Sequence, residues 1–169
     1  MSLRLEVSRT LRADPQRVWA ELVDWPRQDL WIPLTHVRAT SDRTRGLGVR
    51  VSALSGFRLG PVPVGLLDNF VVTGWTPPGE AAGGGPAELA VLHLGPYFTG
   101  EGSFKVHEDP AGSRLLCTEV FTLPGGAERL LRPALPLMRR GFAASLATLA
   151  GIVEAPDGAE ARGPRSAAA

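Results

Sequence analysis

The chain has 169 residues but only one cysteine, Cys117, one tyrosine, Tyr97, and one lysine, Lys105. A lone cysteine excludes an intramolecular disulfide and a multi-cysteine metal site, and a reducing, cytoplasmic setting is the default expectation. The three histidines, His36, His93 and His107, have no metal-ligand spacing, and no Glu-x-x-His run occurs. No metal and no cofactor is therefore expected. An excess of one charge is missing too: 18 basic residues face 17 acidic ones, for a formal net charge of +1. That excludes a broad electrostatic footprint for nucleic acid. Arg139-Arg140, the only local basic pair, is too small a cluster to mark DNA or membrane lipid. No apolar run approaches the ~20 residues that span a bilayer, so no stable membrane insertion is expected. The opening "MSLRLEVSRTL" alternates and does not read as a secretory signal. Ser/His/Asp order, phosphate-cradling glycine loops and dinucleotide fingerprints are all absent; "GEGSF" ends in a strand and lacks the helix such loops need.

What is present is pattern. Leu3, Leu5, Val7 and Leu11 alternate with polar residues, which predicts a strand with one buried face. Asp14 and Pro15 predict a helix start, with Val18, Trp19, Leu22 and Val23 as its apolar stripe. "PRQDLWIP" allows at most a short second helix. "THVRATS", "VRVSAL", "LLDNFVVTGW", "AELAVLHL", "YFTGEGSFKV" and "RLLCTEVFTL" read as six more strands with mostly hairpin-length connections, hence an antiparallel sheet. "SGFRLGPVPVG" between two of them reads as a Pro/Gly-rich loop. After Gly126 the period changes: Leu131, Leu135, Met138, Phe142, Leu146, Leu149 and Val153 mark one face of a long helix. Pro133 and Pro136 place its regular part after about residue 134. The expected division is a single domain over 1–154 and a disordered tail over 155–169.

The stretch "YFTGEGSFKV" raises a question. Phe98, Gly100, Gly102, Phe104 and Val106 share its apolar side, yet two middle positions carry no side chain. Glycine weakens a strand interior unless something comes close to the backbone. The candidates are a bulge, a packed helix or a bound molecule.

Taken in order, "ADPQRVWAELVDW" with "LWIP", "GLGVRV", "VVTGWTPPG", "FTGEGSFKV", "CTEVFTLP" and the final helix with "SLATLAGIVE" resemble the polyketide cyclase/dehydrase-like proteins of the SRPBCC superfamily, over about Leu3 to Glu154. The resemblance implies an α+β, START-like or helix-grip fold: about seven strands of a curved antiparallel sheet wrapped around a long C-terminal helix, with one or two short helices after the first strand. It also implies a deep, mostly apolar cavity between sheet and helix that holds hydrophobic or aromatic molecules. No catalytic residue of the cyclases maps onto this chain by a local motif.

Glu119 is the sharpest chemical candidate. Leu115, Cys117, Phe121 and Leu123 share its parity, so it is a carboxylate on an apolar wall, suited to acid/base work or to a structural ion pair. His93 is the second candidate, with apolar residues on both faces of its strand and its direction open. Arg9 shares the inward parity and is a candidate partner for Glu119. One of Asp68 and Asn69 faces inward. Trp31, Phe98, Gly100, Gly102, Phe104, Cys117, Phe121, Met138 and Phe142 are the expected ligand-lining set. Trp19 and Trp25 belong to the core, Arg50 to solvent, Tyr97 to the rim, and His36 and His107 to the surface.

Three functions fit. The first is binding of a small hydrophobic or aromatic molecule. The second is a polyketide cyclase or dehydratase with Glu119, aided by His93, as acid/base. The third is a protein-interaction module whose groove takes an apolar segment, favoured if "SGFRLGPVPVG" exposes an apolar patch. The sequence leaves monomer and homodimer equally open.

Overall fold

A computed structural model describes residues 2–59 and 62–156. Gly60, Pro61 and all but the first two residues of the expected tail lie outside the described residues. Strand β1 (Leu3–Leu11) leads to helix α1 (Pro15–Leu22) and a 3-10 turn (Trp25–Leu30). Six strands follow: β2 (Thr35–Ala39), β3 (Arg50–Leu59), β4 (Val62–Thr76), β5 (Ala87–Pro96), β6 (Thr99–Asp109) and β7 (Gly112–Thr122). The chain then runs through α2 (Glu128–Leu131) and a further 3-10 turn (Arg132–Ala134) into α3 (Leu135–Val153).

The seven strands form one antiparallel sheet in the order β1-β7-β6-β5-β4-β3-β2. The fold is α+β, a curved open sheet with a long C-terminal helix on its concave side, the helix-grip arrangement. The described residues of "SGFRLGPVPVG", 55–59 and 62–65, are strand and not loop. They extend β3 and β4 into a long hairpin whose pairing continues from Arg50↔Val71 through Gly56↔Gly65. Alternation in "VPVGLL" outweighs the local Pro and Gly because the neighbouring strand supplies the ladder. The hairpin exposes Leu54, Val64 and Leu66 to nearly half their surface.

Local chemistry sets the ends. Asp14 caps α1 by accepting from the Arg17 N–H at 2.9 Å, ahead of Pro15 at the first helical position. Asp14→Ala is expected to lower stability by about 1 kcal/mol, read as a shift of the urea midpoint. The prolines at 133 and 136 separate α2 from α3, each with no N–H to give the preceding turn.

The core has two parts. The larger runs from Leu11, Val18 and Leu22 through Val51, Phe70, Val72, Leu89 and Leu115 to Leu146, Leu149 and Val153, with Phe104 and Phe142 packed against it. Trp19 meets Trp75 edge-on at 5.2 Å, and Trp25 donates from Nε1 to the Thr44 carbonyl at 2.8 Å. The smaller part is Leu3, Leu5 and Phe121, covered by Phe98, Leu131, Leu135, Met138 and Phe142. The buried residues of α3, Ser145, Leu146, Leu149, Ala150 and Val153, all lie in its C-terminal half. No helix among the described residues is long and apolar enough to cross a membrane.

Candidate functional site

Three ionisable side chains meet on the concave face. The His93 Nδ1 lies 3.0 and 2.9 Å from the two carboxylate oxygens of Asp68. Its Nε2 lies 3.1 Å from Glu119 Oε2. The three come from β4, β5 and β7, so the group crosses the intervening strand β6 to close. His93 and Glu119 are each 8% exposed.

The backbone makes this possible in two places. In the pairing of β4 with β5 the register shifts between Asp68 and Phe70: Asp68 stands opposite Pro96, while Phe70 stands opposite His93. Such an irregularity re-aims a side chain, and here it accompanies the Asp68 carboxylate's reach to the imidazole. On β6, Gly102 pairs with Val91 on one side and Glu119 on the other. A Cβ built on Gly102 would stand 2.8 and 2.9 Å from the two Glu119 carboxylate oxygens. The missing side chain is the space through which Glu119 reaches His93. Gly100 answers to a different need. Its φ is +149°, and a Cβ there would collide with the Val120 carbonyl oxygen and stand 2.7 Å from the Phe121 Cα. One glycine of "TGEGS" is required by the neighbouring backbone, the other by the carboxylate.

Electrostatics bind the trio together. Burial alone would lower the proton affinity of His93. The hydrogen bonds and charges of Asp68 and Glu119 outweigh it and raise the pKa to about 9. At neutral pH the imidazole is charged and both ring nitrogens donate. Burial pushes the Glu119 carboxyl up, and the Asp68 charge adds to that push against the opposing pull of His93. The two directions have different causes: the acid partners raise His93, whereas burial is the chief cause for Glu119. Burial and the nearby Glu119 also push the Cys117 thiol up, so Cys117 is a thiol and packs as a small hydrophobe. Glu119 Oε2 is engaged by His93, whereas no hydrogen bond is made by Oε1 among the described residues.

Aromatic rings wall the trio. Trp25, Phe70, His93, Phe98 and Phe121 follow one another at centroid separations of 6.0, 5.8, 5.2 and 6.0 Å. His93 is thus held between Phe70 and Phe98. Phe104, Met138 and Phe142 are half-buried and stand between the sheet and α3, where the resemblance implies a cavity that these side chains either leave open or fill. The two best-formed depressions among the described residues lie elsewhere. One of about 200 Å³ is bordered by Pro15, Pro78, Pro86 and His107. The other, of about 180 Å³, is bordered by Pro96, Phe98, Thr99, Thr122, Leu123 and Pro124.

The expected partner of Glu119 was Arg9. Arg9 is exposed and pairs opposite Leu115, whereas Leu5 stands opposite Glu119, and the partner is His93. Asp68, not Asn69, faces inward; it shares parity with Phe70 and Val72, the one sequence signal that marks it. Trp31 is buried at 3% exposure in the main core, with its Nε1 unpaired. His36 is exposed and pairs with Asp29 at 2.9 Å. Among the described residues no group of three or more His, Cys, Asp or Glu is arranged to hold a metal ion.

No protein-family model matches the chain, and no curated protein matches it either. Solved structures do. The Thermus thermophilus protein TTHA0849 superposes with a TM-score of 0.66 at 17% identity, over 89% of this chain and 97% of that one. The Zhui aromatase/cyclase from Streptomyces sp. R1128 superposes with a TM-score of 0.65 at 16% identity, over 91% and 94%. The di-domain aromatase/cyclase StfQ of the steffimycin biosynthetic pathway gives 0.65 at 12% identity, over 91% of this chain and 52% of that one. At these identities the likeness is one of fold: the chain has the helix-grip fold, a curved antiparallel sheet with a long C-terminal helix, that these structures share.

Proposed function

We propose that this domain binds a small aromatic or otherwise apolar molecule on its concave face, with a hydroxyl of the ligand held by the free oxygen of Glu119. The observation that carries the reading is the buried Asp68–His93–Glu119 group set into a row of aromatic rings. Burying ionisable groups costs several kcal/mol each unless they are paired. Here all three are linked, yet one Glu119 oxygen is left for a further partner. Phe98, Met138 and Phe142 stand where the ligand lies and are the side chains that move to admit it. All three are half-buried, which makes them the least costly of the wall to displace.

Titration with 2-naphthol, followed by its fluorescence, tests this. A single saturable site is expected, with affinity about tenfold lower in Glu119→Leu and naphthalene binding not reduced, because a hydrogen bond to a charged group contributes about 1.5–3 kcal/mol. Absence of saturation, or an equal loss for both probes, overturns the reading.

A second reading is acid/base catalysis of ring closure or dehydration; two structures of similar fold are aromatase/cyclases. The arrangement of His93 favours it: Asp68 fixes Nδ1, so Nε2 faces Glu119 and can hand it a proton. Glu119 takes a proton from the carbon beside a carbonyl and returns one to the oxygen that leaves as water. Glu119→Gln separates the two. A pure binder keeps its ligand, whereas an enzyme loses turnover by about 10²–10⁴-fold with binding retained.

A further inference from the structure

Leu130 and Leu137 are the most exposed large apolar side chains among the described residues, at 80% and 71%. Their neighbours Leu131, Leu135, Met138 and Phe142 turn inward onto Leu3, Leu5 and Phe121. On α3 the spacing of three and four puts Leu137, Arg140, Gly141 and Ala144 on the opposite, exposed side. The charged residues of 129–153 are Arg129, Arg132, Arg139 and Arg140, with no acid among them. Glu128 just before them is buried and accepts from the Leu123 N–H at 3.1 Å. In the sequence Arg139-Arg140 is too small a pair to mark a surface. The fold adds exposed Arg129 and two protruding leucines to it, in a chain whose formal net charge is only +1.

We propose that the outward side of α2 and the N-terminal half of α3 docks on an anionic lipid surface. A convex ridge with isolated leucines between arginines offers no pocket or groove for the buried anchors that protein interfaces need. A soft interface accepts it: leucines enter the acyl boundary while arginine stems lie along it and their heads meet phosphate. The exposed helix surface beyond is Gly141, Ala143, Ala144 and Ala147, so nothing bulky holds the ridge off the membrane. The depression at Phe98, Leu123 and Pro124 lies at the chain segment that enters α2.

The test is co-sedimentation with vesicles of equimolar phosphatidylglycerol and phosphatidylcholine against vesicles of phosphatidylcholine alone. Binding to the first only is expected, lost between roughly 0.05 and 0.5 M salt as screening shortens. Each arginine near an anionic surface contributes about fivefold, so R139E/R140E should weaken binding at least tenfold. L130S/L137S should weaken it comparably, and all four positions are exposed, so melting temperatures serve as the control for folding. The salt dependence of the unaltered protein decides the matter if a variant fails to fold. Equal recovery with both vesicles, no binding to either, indifference to both double substitutions, or a dimer that only L130S/L137S dissociates overturns the proposal. The naphthol titration is independent of it, so either can fail alone.

Discussion

Replacing His93 by leucine is expected to destabilise the domain by about 3–5 kcal/mol near pH 6.5, because it leaves Asp68 and Glu119 as unpaired carboxylates. The two sit within 3.1 Å of the imidazole and have no substitute cation in their hydrogen-bond contacts. The pH dependence identifies the cause. The folded pKa of His93 is raised to about 9 from 6.5, so its contribution is complete below pH 6.5 and is lost as pH climbs through 9. Glu119 is also raised, so its contribution has the same sense: protonation favours the fold, and stability falls as pH rises. Urea denaturation at pH 6.5 and 9.5 should show the unaltered protein losing on the order of 3 kcal/mol of its advantage over the leucine variant across that window. A constant gap would mean that the imidazole is neutral and the trio is held by packing alone.

The second large effect separates two glycines on one strand. Gly100→Ala is expected to cost about 3 kcal/mol or more, since the new methyl meets backbone at Val120 and Phe121 and the residue sits at φ +149°. Backbone on an interior strand cannot give way. Gly102→Ala meets the end of a flexible side chain, the Glu119 carboxylate, and the Val91 methyl at 3.0 Å. It should cost only about 1–2 kcal/mol. Its signature lies elsewhere: Glu119 is pushed off Nε2, and the His93 pKa, followed by NMR, moves down. Equal costs for the two alanines, with His93 unmoved in Gly102→Ala, would separate Gly102 from the site.

Much of this molecule is local and therefore legible from the order of residues. Alternation fixes which side of β1, β6 and β7 is apolar, so Glu119 could be placed on the inner wall from Leu115, Cys117 and Phe121 alone. Asp14-Pro15 fixes the start of α1, and the prolines at 133 and 136 fix the start of α3. The period change after Gly126 fixes the long helix. These are short-range effects of φ restriction, capping and face periodicity, which need no knowledge of neighbours.

What the order of residues left open depends on which strand lies beside which, and by how much each is offset. The direction of His93 was undecided because both faces of β5 are apolar; the sheet buries one face and leaves Leu92 and Leu94 partly exposed. Arg9 has the right parity to meet Glu119, yet the register sets Leu5 opposite Glu119 and Arg9 opposite Leu115, four residues away. Asp68 reaches the imidazole across a register shift that no single strand reveals. The loop reading of "SGFRLGPVPVG" failed because pairing between β3 and β4 outweighs what Pro and Gly favour alone. Side chains from α3 and β6 stand where the resemblance implies a cavity. A cavity is the residue of all packing together, and parity says only which side chains point towards it. The opening glycines have their answer at the same level: Gly100 makes room for a neighbouring backbone and Gly102 for a carboxylate that crosses the strand to its histidine.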